Sequence, residues 1–366
     1  MRKIVFHLNC LEQGGAERVV TTLANYFADG RYEVVIATEW VADNEFTIDE
    51  RIRRVHVGLT EQQEKASSRR KFLYRIQNLR AFLKKEKPDM VIAFAKKANY
   101  RALMATVFTR IPVIVSVRTN PYLHYVEKTD KVLIPLFYSR AAGNVFQTEG
   151  AKQFFSDRVQ RKSRIILNPI NDKYIGVPKP SERRKAVVQS GRLVDFKNQL
   201  MLIEAFCRVH QKHPDYVLEI YGGDSYDGTK ELLEQSIAGH EAESYVFLKG
   251  ASDTLEKQLA DAALFAFSSD WEGLPNALME AMALGLPIVA TDCPCGGPRT
   301  LIQDGVNGIL VPIKDADAME AGINRLIEDR ELAERLGENA RKLGEIASTQ
   351  AVCRQWHDYI EELCKK

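Results

Sequence analysis

Short apolar runs rich in β-branched residues alternate along the chain with stretches whose apolar residues recur every three or four positions. The runs predict strands at 4–8, 34–38, 90–94, 113–117 and 144–147, then at 186–190, 217–221, 245–248, 263–267, 287–291 and 308–311. Helical periodicity lies between most of them, as at 15–28 and 198–212. Continuous apolar strands separated by helices indicate an α/β fold with parallel sheets covered on both faces. The series starts afresh after 168–185, a stretch with three prolines. Together these features predict two Rossmann-like domains, 1–170 and 185–345, joined by a hinge at 171–184 and followed by a closing helix in 346–366. Two such domains with their sheets facing a central cleft bring strand-end loops from both around one ligand.

Composition narrows the alternatives. Of 366 residues, 45% are apolar and 27% charged, ordinary values for a folded chain, which removes disordered and fibrous classes. No apolar run approaches the ~18 residues of a membrane-spanning helix. The opening MRKIVFHLNC begins like a secretion signal, but His7 and Asn9 interrupt its apolar stretch. Six cysteines without such a signal suggest reduced thiols, so a soluble cytoplasmic protein is expected.

Net charge is +2 but unevenly spread. Residues 1–180 hold 31 Lys+Arg against 18 Asp+Glu, a net +13, and residues 181–366 hold 20 against 31, a net −11. The basic excess peaks between Ser68 and Lys87, with eight Lys/Arg and one Glu. Phe72, Ile76, Leu79 and Leu83 fall on one side of a helix there. A solvated face over a core stripe explains that much. The basic half-chain behind it makes binding to an anionic membrane surface or a phosphate an equal reading. Nucleic acid is not expected, because no base-stacking aromatic cluster or recognition-helix motif accompanies the charge.

Three loops at predicted strand ends carry candidate chemistry. After the first strand, Gln13-Gly14-Gly15-Ala16-Glu17-Arg18 opens a helix. Paired glycines let backbone amides approach an anion, and a tight strand-to-helix turn accounts for them equally well. The dinucleotide fingerprint G-x-G-x-x-G is absent. Residues 189–198 read QSGRLVDFKN, placing Arg192 and Lys197 just past a strand. There a guanidinium fork and an ammonium can converge on a diphosphate; the alternative is two surface cations. The third loop, SDWEGLPNALMEAMALGLPIVAT over 269–291, sets Glu272 before and Glu280 within a helix that starts near Asn276. Between them Gly273 and Leu274 lead into the first-turn amides of Asn276, Ala277 and Leu278, which have no acceptor in the helix and suit an anion. Carboxylates on both sides of an anion site fit a ligand with hydroxyls on either side of a phosphate, as in a nucleotide sugar. An acidic helix start that complements the dipole explains Glu272 alone.

The stretch EGLPNALMEAMALGLPIVAT closely resembles the E-x7-E signature of family 4 retaining glycosyltransferases, which have the GT-B fold. GGAER, GRLVDFKN and GPRTLIQDGVNGILVP match the same family in order and spacing, so the resemblance spans nearly the whole chain. It implies that Arg192 and Lys197 bind the donor diphosphate, that Glu272 contacts the donor sugar and that Glu280 holds the ribose hydroxyls. Arg192, Lys197 and Glu272 then form the catalytic set. Gly14 and Gly15 would lie near donor phosphate and acceptor, and Gly250 in the turn that holds the base. The resemblance further implies transfer, with retention and without metal or other cofactor, of a hexose or N-acetylhexosamine from a nucleotide sugar. The donor is UDP-linked in the sub-branch most resembled. The acceptor would be a glycan, carried on polyprenyl pyrophosphate at the inner face of a bacterial membrane and held by the basic N-terminal domain.

Some positions depart from that pattern. Many relatives place a His after the strand equivalent to 113–117 to meet the transferred sugar; this chain has Arg118 and Asn120 there, with His124 further on. Arg118 and Asn120 are accordingly the substrate-binding candidates in that loop. Thr300 stands where an acid often follows the GP motif. Cys293-x-Cys295 has no second pair at zinc spacing, and Asp315-Ala316-Asp317 precedes a helix and reads as its cap, so no metal is expected. Two other functions fit the same architecture: a nucleotide-sugar epimerase, which needs no acceptor, and a non-catalytic nucleotide-sugar-binding module.

Overall fold

A computed structural model describes residues 1–12, 14–30 and 32–365. The chain forms two compact units, one of Met1–Pro169 with Gln350–Lys366 and the other of Ile170–Thr349. The first holds seven parallel strands: β1 (Arg2–Leu8), β2 (Tyr32–Thr38), β3 (Arg53–His56), β4 (Met90–Phe94), β5 (Val113–Ser116), β6 (Gly143–Phe146) and β7 (Ser163–Ile165). Their order across the sheet is β3-β2-β1-β4-β5-β6-β7. Alternate residues of β1 face opposite layers, as the two-residue period of a strand requires. Ile4, Phe6 and Leu8 pack with Val19, Leu23 and Phe27 of helix Gly15–Phe27 and with Trp356 and Ile360 of helix Thr349–Cys364. Val5, level with Val35 on one side and Val91 on the other, joins Leu79, Leu83 and Leu103 from helices Ser68–Glu86 and Lys96–Ala105.

The second unit holds β8 (Arg184–Ser190), β9 (Val217–Tyr221), β10 (Val246–Gly250), β11 (Ala262–Phe267), β12 (Ile288–Thr291) and β13 (Ile309–Val311). These are parallel, in the order β10-β9-β8-β11-β12-β13. In each unit the strand order reverses beside the first strand, between β1 and β4 and between β8 and β11. Loops leaving the carboxyl ends of those strands diverge and leave a crevice, the place where open α/β sheets bind ligands.

The α/β class with two doubly wound sheets agrees with the sequence. Two elements do not: β3 and β7 are edge strands that the apolar runs failed to mark. The stretch 171–184, expected as a hinge, is tied into the second unit. Lys173 Nζ donates to the Asp253 carbonyl at 3.0 Å, and the Arg183 guanidinium donates to the carbonyls of Ala262 at 2.9 Å and Gly285 at 2.8 Å. Among the described residues no helix is long and apolar enough to cross a membrane.

One buried titratable group sits in the first sheet. His7 is 0% exposed, and its Nδ1 donates to the Ala37 carbonyl at 3.0 Å. Burial pushes the imidazole down to about 4, with the Arg101 charge adding to the effect and the Ala37 bond opposing it.

Candidate functional site

In the second unit the site begins where β8 ends. Gly191 follows with φ +153°, and Gly222 after β9 comes so close that a Cβ on it would lie 1.9 Å from the Gly191 oxygen. Only glycine permits that approach. The two loops are then joined by Gly191 N to the Tyr221 carbonyl at 2.9 Å and Leu193 N to the Gly223 carbonyl at 3.0 Å. Gly250, at the end of β10, takes φ +71° and its carbonyl accepts from Gly222 N at 2.9 Å. Gly191, Gly222 and Gly250 therefore form a row that carries Arg192 at one end and the expected base turn at the other. Arg192 is exposed, and its carbonyl accepts from Gln199 Nε2 at 3.1 Å.

A short 3-10 turn, Asp195–Lys197, precedes helix Gln199–Lys212, whose cap is Asn198. Phe196 and Lys197 of this turn and the cap Asn198 meet three consecutive residues beyond β11. The Phe196 carbonyl accepts from Asp270 N at 2.8 Å, and Asn198 Nδ2 donates to Asp270 Oδ1 at 2.9 Å. The Phe196 ring stacks on Trp271, and Lys197 Nζ forms an ion pair with Glu272. Ser268 Oγ also donates to the Lys197 carbonyl at 2.7 Å. The Lys197 and Glu272 side chains retain 13% and 15% exposure, so the pair is largely but not wholly withdrawn from water.

The Glu272 loop is braced on its other side. Glu272 N donates to the Pro294 carbonyl at 2.9 Å, Cys295 N donates to the Glu272 carbonyl at 3.2 Å, and a Cβ on Gly297 would lie 2.1 Å from the Gly273 oxygen. Cys293 is buried beside it; desolvation pushes its thiol well up, and the Glu272 charge adds to that. Leu274 is buried, and after Pro275 the helix Asn276–Ala283 begins with no side-chain cap. The amides of Asn276, Ala277 and Leu278 have no acceptor within that helix, and its positive dipole end faces the loop. Glu280, one turn in, is 7% exposed. Arg192, Lys197, Gly250, Glu272, Gly273, Leu274, Asn276, Ala277, Leu278 and Glu280 thus all belong to strand-end loops of one sheet or to the helix that leaves them. Among the described residues no three His, Cys, Asp or Glu side chains converge as a metal site. Asp315 caps helix Ala316–Glu328 by accepting from Ala318 N at 2.9 Å.

In the first unit, Gly14 precedes helix Gly15–Phe27 in an extended conformation, with its amide donating to the Glu12 carbonyl at 2.7 Å; Gln13 lies outside the described residues. Burial pushes the nearby Glu17 carboxyl up. Arg118 and Asn120 have internal partners. Arg118 donates to Ser116 Oγ at 2.7 Å and to Asn168 Oδ1 at 2.8 Å, with its guanidinium 5.0 Å from the Phe94 ring and 5.6 Å from that of Trp356. Desolvation pushes it down to about 9. Asn120, 2% exposed, accepts from Tyr122 N at 3.0 Å and caps the turn Pro121–His124.

Helix Ser68–Glu86 buries only Leu79 and Leu83, while Phe72 and Leu73 are 44% and 54% exposed. Of the apolar stripe, Leu79 and Leu83 thus lie on the core while Phe72 reaches solvent at the N-terminal end. Two features escaped the sequence altogether. Glu39, just past β2, is buried between Arg75 Nε at 2.8 Å and Arg101 Nη1 at 3.1 Å, a cluster assembled from three distant segments. The other is the Phe196–Trp271 stack, whose only local signal was an aromatic residue beside each charged partner.

Two family profiles divide the chain. Glycosyl transferases group 1 matches residues 171–343 and Glycosyltransferase Family 4 matches residues 13–174. The N-acetylgalactosamine-N,N'-diacetylbacillosaminyl-diphospho-undecaprenol 4-alpha-N-acetylgalactosaminyltransferase of Campylobacter jejuni is 30% identical over 260 residues, covering 67% of this chain and 68% of that protein. An uncharacterized glycosyltransferase of Methanocaldococcus jannaschii is 30% identical over 265 residues, covering 65% of this chain and 63% of that protein. The match spans less than two thirds of the archaeal protein and less than half of several other relatives. Among solved structures, Anabaena HepE in complex with UDP superposes with a TM-score of 0.82 at 18% identity, covering 99% of this chain and 100% of the other.

Proposed function

Since the chain belongs to the family 4 glycosyltransferases of GT-B fold, we propose that it transfers a hexose or N-acetylhexosamine, with retention, from a UDP-linked donor to a lipid-linked glycan in bacterial surface-glycan synthesis. The observation that carries this is the meeting of Lys197 with Glu272 at the switch point of the second sheet, beside the start of helix Asn276–Ala283. A cation and a carboxylate stand together there, which supports reading the loop as the place where a leaving phosphate and a transferred sugar meet.

In this reaction the bond from the anomeric carbon to the β-phosphate oxygen breaks, and a bond from that carbon to the acceptor oxygen forms on the same face. Arg192, Lys197 and the first-turn amides offset charge growing on the β-phosphate, which takes the acceptor's proton. That charge set lets the leaving group depart without a metal. Glu272 orients the sugar hydroxyls and Glu280 the ribose. No strong nucleophile is required beneath the sugar. UDP is supported by the ligand of the Anabaena structure, and a lipid-linked acceptor by the name of the Campylobacter relative. The exposed Phe72 and Leu73 beside Arg69 and Arg70 support docking of helix Ser68–Glu86 on an anionic inner membrane surface or on the acceptor's pyrophosphate.

The test is nucleotide release from UDP-glucose, UDP-galactose, UDP-N-acetylglucosamine, UDP-N-acetylgalactosamine and GDP-mannose, with and without membrane lipid extract, for the wild type and Glu280→Ala. Slow release from one donor, accelerated by lipid and lost in the variant, is the expected result. Tight UDP binding without release from any donor would favour a nucleotide-sugar-binding module instead.

A further inference from the structure

We propose that the Lys197–Glu272 ion pair discriminates between a nucleotide that carries a sugar and one that does not, and that its re-formation drives product release. This rests on the donor-site reading above. In the structure each charge has the other as its main partner. Beyond Lys197, Glu272 has the Ser269 hydroxyl at 3.4 Å, and beyond Glu272 the Lys197 ammonium has, among the described residues, the faces of the Phe196 and Phe267 rings, 5.6 and 5.7 Å from their centroids. The Cys293 thiol beside them is held neutral, so it supplies no competing charge.

A diphosphate that engages Lys197 draws on the cation that Glu272 was using. The carboxylate is then left largely buried, with one distant hydroxyl as donor and two negative phosphates nearby. Removing one member of such a pair costs more than the pair itself contributes, because the remaining charge is uncompensated. A donor sugar repairs this, since its hydroxyls donate to Glu272 as Lys197 turns to the phosphate. Free nucleotide has nothing to offer in that position. Once the sugar has left on the acceptor, Glu272 again lacks a donor, repels the diphosphate and reclaims Lys197.

The discriminating variant is Glu272→Gln, which keeps the shape and removes the charge. UDP and GDP are titrated calorimetrically into wild type and variant, and thermal midpoints are compared to establish that both fold. The expected result is that the variant binds free UDP or GDP about tenfold more tightly than the wild type, while losing transfer. A side chain that acted only as a sugar ligand would leave nucleotide affinity unchanged, and one that shaped the site would weaken it; either result overturns the proposal. If Gln lowers the thermal midpoint, Glu272→Ala must show the same tightening for the proposal to stand. Absence of nucleotide binding to every form overturns the donor-site reading, and this inference with it.

Discussion

The Phe196 ring lies against the Trp271 indole, with centroids 4.1 Å apart and planes 24° from parallel. Each ring precedes one member of the Lys197–Glu272 pair, so the stack fixes the spacing of two loops that the chain separates by 75 residues. Aromatic pairs contribute ~0.5–1.5 kcal/mol beyond burial. Trp271→Ala should therefore cost little stability yet lower kcat/KM for the donor by about tenfold, since the reacting groups tolerate little displacement. Trp271→Phe should stay within about threefold. Steady-state nucleotide release checks both, and equal loss in the two variants would point to the indole N–H instead of the stack.

Lys197→Ala should reduce turnover by ~10²–10³, the usual cost of one preorganised donor to a developing anion. The side chain meets Glu272 at the edge of the core, and the fold should survive by circular dichroism. Near-normal turnover would sink the assignment of the diphosphate site.

Gly222→Ala tests the loop contact that precedes any chemistry. Its Cβ would stand 1.9 Å from the Gly191 oxygen, which is backbone and can move only with the whole turn. Overpacking of this kind costs ~1–3 kcal/mol. Denaturant unfolding should show that loss, together with weaker nucleotide binding.

His7 makes the stability of the first unit depend on pH. Its folded value of about 4 lies below the ~6.5 of an unfolded histidine, so between these values the unfolded chain binds a proton that the folded chain does not. The contribution is fully present above pH ~6.5 and is lost as pH falls toward 4, amounting to about 3 kcal/mol. Urea midpoints of the wild type should fall across that window, and His7→Asn should flatten the slope.

Phe72→Glu combined with Leu73→Glu should abolish sedimentation with vesicles containing anionic lipid while leaving the unfolding midpoint unchanged. Both side chains are already about half in water, so the fold loses little by the change. Unaltered sedimentation would remove helix Ser68–Glu86 from the membrane proposal.

The strands that build both cores were legible because they are continuous apolar runs; β4 reads MVIAF and is buried at every position. β3 reads RRVH and β7 reads SRI; each is short and pairs on one side only, so no apolar signal was available to mark it. The E-x7-E stretch was legible because its loop and helix lie together in sequence. The Lys197–Glu272 pair and the Glu39–Arg75–Arg101 cluster were not, because strand order alone brings those segments together. At Arg118 and Asn120, position in the loop where the family places a sugar-contacting His suggested ligand contacts. Their hydrogen bonds to Asn168 and Tyr122 N depend on side-chain direction, which spacing does not encode.

Helix Thr349–Cys364 closes a layer of the unit that the chain began more than three hundred residues earlier, with Trp356 0% exposed and its ring 5.6 Å from that of Phe94. During synthesis at ~5–20 residues per second, the N-terminal sheet must therefore wait on the ribosome with part of one apolar face, the part that helix Gly15–Phe27 does not cover, exposed while the intervening unit is made. The second unit, encoded without interruption, can complete first. A chimera that exchanges the N-terminal half between relatives must carry the last turns of the chain with it, and a fragment ending at Pro169 should be recovered from expression mainly as aggregate.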